Sequence, residues 1–325
     1  MAAGRLRRRT RLRGGEVTRV AAVDCGTNTL RLLVADLDPD TGSEAELDRR
    51  TTIVRLGQDV DRTGVFSAAA LERTFAALDG FASVVDSLDV ERRRFVATSA
   101  ARDVENRAEF ADGVLARFGT APEVISGAAE ARLTFAGATR QLDGRRDIAR
   151  PLLVVDIGGG STELVTRPAS RRDIVGTSLD VGSVRLTERY LHSDPPTPAQ
   201  VESLVSDVDA ALDTVKLPLD RMGTAVGVAG TVTTMAAMVL GLTRYDRARV
   251  DLAPLPLAEL QGAIQRVVKM TVAERRSLPF MHPDRADVIA AGALILDRVT
   301  ARVGLPTLLC SVRDILDGIA WSALP

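Results

Sequence analysis

Two segments far apart in the chain share one hydrophobic and polar pattern. Residues 19 to 38, RVAAVDCGTNTLRLLVADLD, run apolar, then Asp, any residue, Gly, small polar residues, and apolar again. Residues 154 to 165, VVDIGGGSTELV, do the same. Laid over each other, Asp24 matches Asp156, Gly26 matches Gly158, Thr29 matches Ser161 and Leu32 matches Leu164. A β-rich run bounded by glycine predicts two strands joined by a tight turn, a β-hairpin and not a strand entering a helix. The copies lie roughly 130 residues apart, which suits a duplicated domain, since solenoid units repeat every ~20 to 50 residues.

The pattern around each hairpin repeats as well. In the first half, AELDRRTTIVRLG predicts a third strand, and SAAALERTFAALDGFASVVDSL predicts a helix capped by Ser67. The strand RRFVATSA, a helix near NRAEFADGVLARFG, the strand PEVISG and the helical AAEARLTFAGATRQL follow. The pattern lapses in LDGRRDIARP, residues 142 to 151, a linker. In the second half, PLLVVDIG, GSTELVTR and DIVGTSLDVG predict three strands, and PTPAQVESLVSDVDAALDTV a helix with Pro198 near its start. TAVGVAG reads as a strand before the helix TVTTMAAMVLG, and a long helical region containing DRADVIAAGALILDRVTARVG precedes the strand PTLLCS. VRDILDGIAWSAL closes the chain as a helix. Two similar α/β halves with a cleft between them are the economical architecture. The boundaries read as a basic tail at 1–18, an N-terminal half at 19–147 and a C-terminal half at 148–325. The last helix, about 312–323, has the option of packing back on the N-terminal half.

Composition adds limits to this picture. At 325 residues the chain exceeds the roughly 250–300 at which single cores split, and 46% apolar residues suffice for a large core. A net charge of -1 gives no general attraction for nucleic acid. Lysine occurs only at Lys216 and Lys269, so arginine supplies the cationic chemistry, which is compatible with phosphate recognition. Cys25 and Cys310 are too few for a disulfide framework or zinc cluster, and point to a reducing interior. His192 and His282 alone exclude a His-rich metal site. The tail GRLRRRTRLRGG lacks the apolar region of a signal peptide, and no apolar run reaches the ~18 residues of a membrane span. A cytoplasmic protein with a solvated tail and no membrane partner is expected.

The glycines of DIGGGSTEL let the backbone approach a ligand, and consecutive N–H groups there can converge on an anion. A carboxylate at Asp156 would repel phosphate unless a divalent cation lay between them, as Mg²⁺ does when held by one or two carboxylates and phosphate oxygens. The same residues also suit an ordinary hairpin turn with Asp156 hydrogen-bonded locally. No GxxxxGK[ST] occurs, and GGGSTE runs into an apolar strand instead of a helix, so neither a P-loop nor a dinucleotide fingerprint is present.

The segments AAVDCGTNTLRLLVAD, FVATSAARDVENRAEF, VISGAAEARLTF, LLVVDIGGGSTELV and GVAGTVTTMAA, in this order, resemble the exopolyphosphatase/guanosine pentaphosphate phosphohydrolase (Ppx/GppA) family in its short two-domain form. That resemblance implies an α/β fold of duplicated actin/Hsp70/sugar-kinase-like (ribonuclease H-like) domains with an interdomain cleft. It implies Mg²⁺-dependent release of terminal orthophosphate from inorganic polyphosphate. Alternatives are hydrolysis of guanosine pentaphosphate, an ATP-using kinase of the same fold, or a polyphosphate- or alarmone-binding protein without turnover. A homodimer is also implied, and the further helical domain of longer relatives is expected to be lacking.

The family's catalytic glutamate falls on Glu130, a general base for the attacking water. Relatives often carry an acid at the preceding position, where this chain has Ala129. Arg31 and Arg102 are the candidates to neutralise charge on the transferred group. Gly26, Thr27 and Asn28 in the first turn and Gly158, Gly159, Gly160, Ser161 and Thr162 in the second would cradle phosphates from opposite walls. Gly230 and Thr231 lie where a strand meets a helix N-terminus, a place suited to anions. Asp156 is the implied metal ligand, with Glu163 second and Asp24 its counterpart in the first half. Cys25 reads as a small buried side chain. The ending CSVRDILDGIAW departs from the family's more familiar one.

Overall fold

Val20 and Ala22 face one side of the first strand, Ala21 and Val23 the other, and all four are buried. A strand covered on both faces reads as an unbroken apolar run, which is why this one does. The computed structural model describes residues 17–102, 104–168 and 173–324, so the basic tail expected at 1–18 lies almost wholly outside them. Strands β1 (Thr18–Cys25), β2 (Thr29–Leu37) and β3 (Glu44–Ile53) form an antiparallel meander. Helices α1 (Val60–Thr63) and α2 (Ala68–Ser87) lead to β4 (Arg92–Ala97), which pairs parallel with β1. The Ser67 hydroxyl caps α2 by accepting from Ala70 N at 3.2 Å. Helices α3 (Ser99–Arg102) and α4 (Arg107–Phe118) lead to β5 (Glu123–Val124), and α5 (Gly127–Thr139) follows. The sheet order is β3-β2-β1-β4-β5.

The second half opens the same way, with β6 (Leu152–Ile157), β7 (Thr162–Thr166) and β8 (Val175–Leu179) antiparallel. Helices α6 (Ser183–Tyr190) and α7 (Pro198–Asp213) lead to β9 (Thr224–Val228), parallel to β6. Then come α8 (Ala229–Val239), α9 (Arg247–Val250), β10 (Pro254–Pro256), α10 (Leu257–Lys269) and α11 (Val272–Arg276). Helix α12 (Ile289–Val303), strand β11 (Thr307–Cys310) and helix α13 (Ile315–Ser322) complete the chain, with sheet order β10-β11-β9-β6-β7-β8. The long helical region expected before β11 is thus several pieces. Pro279 and Pro283 interrupt it, and Pro283–Arg285 forms only a short 3-10 turn. Among the described residues no helix is long and apolar enough to cross a membrane.

The two hairpins are closed alike, Gly26 N donating to Thr29 O and Gly158 N to Ser161 O, each at 2.9 Å. In register, Asp24 lies opposite Arg31 and Asp156 opposite Glu163.

Each half lends its last helix to the other. Ala131, Phe135 and Ala138 of α5 pack on Leu152, Val154 and Val165 of the second sheet. Ile315, Leu316, Ile319 and Ala320 of α13 pack on Val20, Ala22, Leu33 and Leu37 of the first. A boundary at residue 147, drawn along the chain, therefore separates α5 from the sheet it covers. The helices cross where both carry glycine. A Cβ on Gly137 would stand 1.9 Å from the Asp314 carbonyl oxygen, and one on Gly318 2.0 Å from that of Leu133. Because both obstacles are main chain, Gly318→Ala must push the helices apart. The expected loss is about 1–3 kcal/mol, seen by circular dichroism as a fall of roughly 3–10 °C in Tm. An unchanged Tm would mean that the crossing yields freely.

Candidate active site

The two turns face each other across a cleft of about 670 Å³. Their carbonyl groups are spent elsewhere. In the first turn, Thr27 O accepts from Gly57 N at 2.8 Å, and Asn28 O accepts from Val54 N and Arg55 N at 3.0 Å. In the second, Gly158 O accepts from Ser183 N at 2.9 Å, Gly159 O from Val184 N at 2.8 Å, and Gly160 O from Arg185 Nε at 2.9 Å. With the acceptors tied down, and Gly26 N and Gly158 N closing the hairpins, the remaining amides of each turn are left for an anion. Gly26, Thr27, Asn28, Gly158, Gly159 and Ser161 all line the cleft. The halves also meet through charges at its rim: Asp61 of α1 pairs with Arg185 and Arg189 of α6, and Arg55 with Asp287 at 2.7 Å.

Five buried acids converge on the same space: Asp24, Glu130, Asp156, Glu163 and Asp314. Glu130 stands in the first turn of α5, which Ser126 caps through Ala129 N. Arg102 Nη1 donates to Glu130 Oε2 at 2.8 Å and to Ile125 O at 3.2 Å. Burial pushes the Glu130 carboxyl up, Arg102 pulls it back, and the Asp24 charge adds to the push, leaving it above the ordinary value. Burial, with the Asp314 charge, pushes Asp156 up to about 8. Its Oδ2 accepts from Thr134 Oγ1 at 3.3 Å. Glu163 Oε1 accepts from Ser161 Oγ at 2.8 Å and Ser178 Oγ at 2.7 Å, and burial with its acidic neighbours raises it well above the usual range.

The chemistry of this set fits a hard divalent cation. The donors are all oxygens, and Asp24 Oδ1 is buried with no hydrogen-bond partner among the described residues. Those residues hold no ready cluster of three or more ligands. Magnesium needs none, because it takes one or two carboxylates and fills its shell with water and phosphate oxygens. A cation here would also return the raised carboxyls to their charged form.

Four sequence expectations need correction. Arg31 is not free to neutralise a transferred group: its Nε and Nη2 donate to Asp24 Oδ2 at 2.9 and 2.5 Å, and its Nη1 to Asp314 Oδ2. Its guanidinium is the clamp between two buried acids. Arg102 holds the base Glu130 and is not among the residues that line the cleft. Thr162 is fully buried and donates to Val181 O at 2.6 Å, so it braces the hairpin and meets no phosphate. Gly160 lies behind the turn, lining a smaller cavity of about 260 Å³ with Thr27, Ala100 and Arg185.

The far end of the cleft joins Gly230 and Thr231 to Arg285, which the sequence reading missed. Helix α8 starts from Ala229, whose φ of 65° is a left-handed conformation costly for a residue with a Cβ. No side chain caps its N-terminus, so Gly230 and Thr231, which line the cleft, present unspent N–H groups. Arg285 packs on that turn, so close that a Cβ on Gly230 would lie 2.6 Å from its Nη2. Its Nη1 donates to Thr234 Oγ1 at 2.9 Å, and no carboxylate among the described residues pairs with it. Burial lowers its pKa. Tyr245, Phe280, Met281 and His282 extend the wall beyond it. The usable signal was the run PFMHPDR, where two prolines end the helical pattern and expose a His and an Arg just before α12.

Comparison with known proteins bears on this geometry. The profile of the Ppx/GppA phosphatase family matches residues 38–309. Exopolyphosphatase 2 of Mycobacterium tuberculosis is 46% identical over 321 residues, which cover 94% of this chain and 98% of that protein. A crystal structure of an exopolyphosphatase-like protein superposes with a TM-score of 0.90 at 41% identity, over 95% of this chain and 98% of that one. An exopolyphosphatase from Cytophaga hutchinsonii gives 0.82 at 25% identity, over 94% and 97%.

Proposed function

The chain belongs to the Ppx/GppA phosphatase family, and on that premise we propose that it is an exopolyphosphatase, a phosphoanhydride hydrolase that releases terminal orthophosphate from inorganic polyphosphate. The observation that carries this reading is the buried Glu130, held by Arg102, in a cleft between two amide-lined turns. That arrangement suits an in-line attack by water on the end of a polyanion.

The terminal phosphate sits between the Gly26–Asn28 and Gly158–Gly159 turns, which bind it through main-chain amides. Preceding phosphates run toward Gly230, Thr231 and Arg285, where the open helix end and an arginine with no acidic partner among the described residues offer positive charge. Glu130 accepts the proton of the attacking water, and Arg102 holds its carboxylate in one orientation. The raised Glu130 pKa makes it a better base than a free carboxylate. Asp156 and Asp24 are the residues to hold Mg²⁺, with Glu163, braced by two serines, behind them. Bound there, the ion supplies a Lewis acid that offsets phosphate charge.

A second reading is favoured by the aromatic wall of Tyr245 and Phe280, which offers a stacking surface beyond Arg285. Guanosine pentaphosphate would place its base there and its 5'-terminal phosphate at the same Glu130. We assign the reaction to the cytoplasm and a homodimer to the working protein, the latter measurable by light scattering.

Phosphate release from short and long polyphosphate, guanosine pentaphosphate and ATP tests these readings together. Polyphosphate is expected to be turned over without nucleotide, with activity lost in EDTA and restored by Mg²⁺. A kcat/KM for guanosine pentaphosphate above that for polyphosphate would favour the second reading. Full activity in EDTA would remove the metal from the site.

A further inference from the structure

Arg275 is only 2% exposed, at the end of the short helix α11, and no carboxylate among the described residues pairs with it. A guanidinium buried without an acid is costly unless its donors are used. Here all three partners are main-chain carbonyls: Nε donates to Val267 O at 2.9 Å, Nη2 to Val268 O at 3.4 Å and Nη1 to Ala286 O at 3.3 Å. Val267 and Val268 lie in the last turn of α10, whose carbonyls have no partner within the helix. Capping that end requires only the first two bonds.

The third bond reaches the carbonyl of Ala286, the residue directly after Arg285. Among the described residues the Arg285 guanidinium has no acidic partner, only the Thr234 hydroxyl, so its place over Gly230 depends on how its backbone is held. Within the loop, Arg285 N donates to His282 O at 2.9 Å. From beneath, Arg275 grips Ala286 O.

We propose that Arg275 is a positioning residue for the hydrolysis: by tying the carbonyl of Ala286, next to Arg285, to the end of α10 it holds Arg285 against the first turn of α8, where the inner phosphates of the substrate bind. The inference rests on the reading of Arg285 as a phosphate contact given above. It predicts that Arg275 acts on substrate affinity, and only through Arg285.

The test compares Arg275→Lys and Arg275→Gln, each alone and combined with Arg285→Ala, in the full chain with long-chain polyphosphate. Steady-state kcat and KM are measured beside Tm. Arg275→Lys keeps the charge but loses the three-pronged fork. It is expected to raise KM about tenfold with kcat within about twofold, and to raise it no further once Arg285 is Ala. An equal rise in both backgrounds would overturn the proposal. So would a fall in Tm with KM unchanged, or failure of both Arg275 variants to fold, since either assigns the residue to stability alone. Arg285→Ala with an unaltered KM is a separate result: it removes the phosphate contact itself, and the proposal falls with it.

Discussion

Glu130→Gln is expected to cut kcat for orthophosphate release by roughly 10²–10⁴-fold while KM for polyphosphate changes little. The amide keeps the size of the side chain and an oxygen for Arg102 Nη1, so the cleft should retain its shape. What disappears is the group that takes the proton from water. The pH dependence supplies an independent check. Burial raises the Glu130 carboxyl above its ordinary value, so activity in the native protein should fall as pH drops through that raised value, earlier than a free glutamate would dictate. Arg102 pulls the same carboxyl down, and Arg102→Met should therefore shift the acid limb to higher pH. In Glu130→Gln the limb should vanish. Undiminished turnover by Glu130→Gln would take this residue out of the reaction.

Arg31→Met is expected to destabilise the fold by about 3–5 kcal/mol, the range found when one partner of a buried ion pair is removed and the other is stranded. Two acids are stranded here, Asp24 and Asp314, both nearly inaccessible to solvent. Burial alone would raise Asp314, but Arg31 and Arg49 outweigh it and hold the carboxyl below its ordinary value. A carboxyl lowered in the folded state adds stability above its unfolded pKa, and that stability is lost as pH falls through the folded one. The Arg31→Met deficit should therefore be largest near pH 7 and should narrow below about pH 4, where Asp314 is neutral in the unfolded chain as well. Urea unfolding at the two pH values measures it. A deficit independent of pH would mean that packing, not charge, was lost.

Features set by short-range pattern were legible in the sequence, and those set by distant partners were not. Gly26 and Gly158 announced the hairpins because a tight turn between apolar runs leaves few alternatives, and Asp24 with Asp156 marked the acidic end of each strand. Glu130 was found through motif resemblance. From spacing alone it is one more acid in a first helical turn. The role of Arg31 was hidden, since its partner Asp314 lies 283 residues away. Helix α6, which takes the carbonyls of the second turn, went unread because its eight residues make little more than two turns. Strand β5 shrank to two residues, since only Glu123 and Val124 find partners in β4. Arg285 sits in a loop whose importance comes from what folds over it.

The exchange of α5 and α13 bears on how the polypeptide matures as it is made. The helix that covers one face of β1 and β2 comes far later in the chain, so on the ribosome Val20, Ala22, Leu33 and Leu37 emerge hundreds of residues before their cover. The amino-terminal half cannot finish folding as a nascent unit, and its bare sheet is a target for chaperones or aggregation until synthesis reaches Asp314. A stop codon ahead of Ile315 would strip that cover and release a polypeptide with a permanently exposed apolar face.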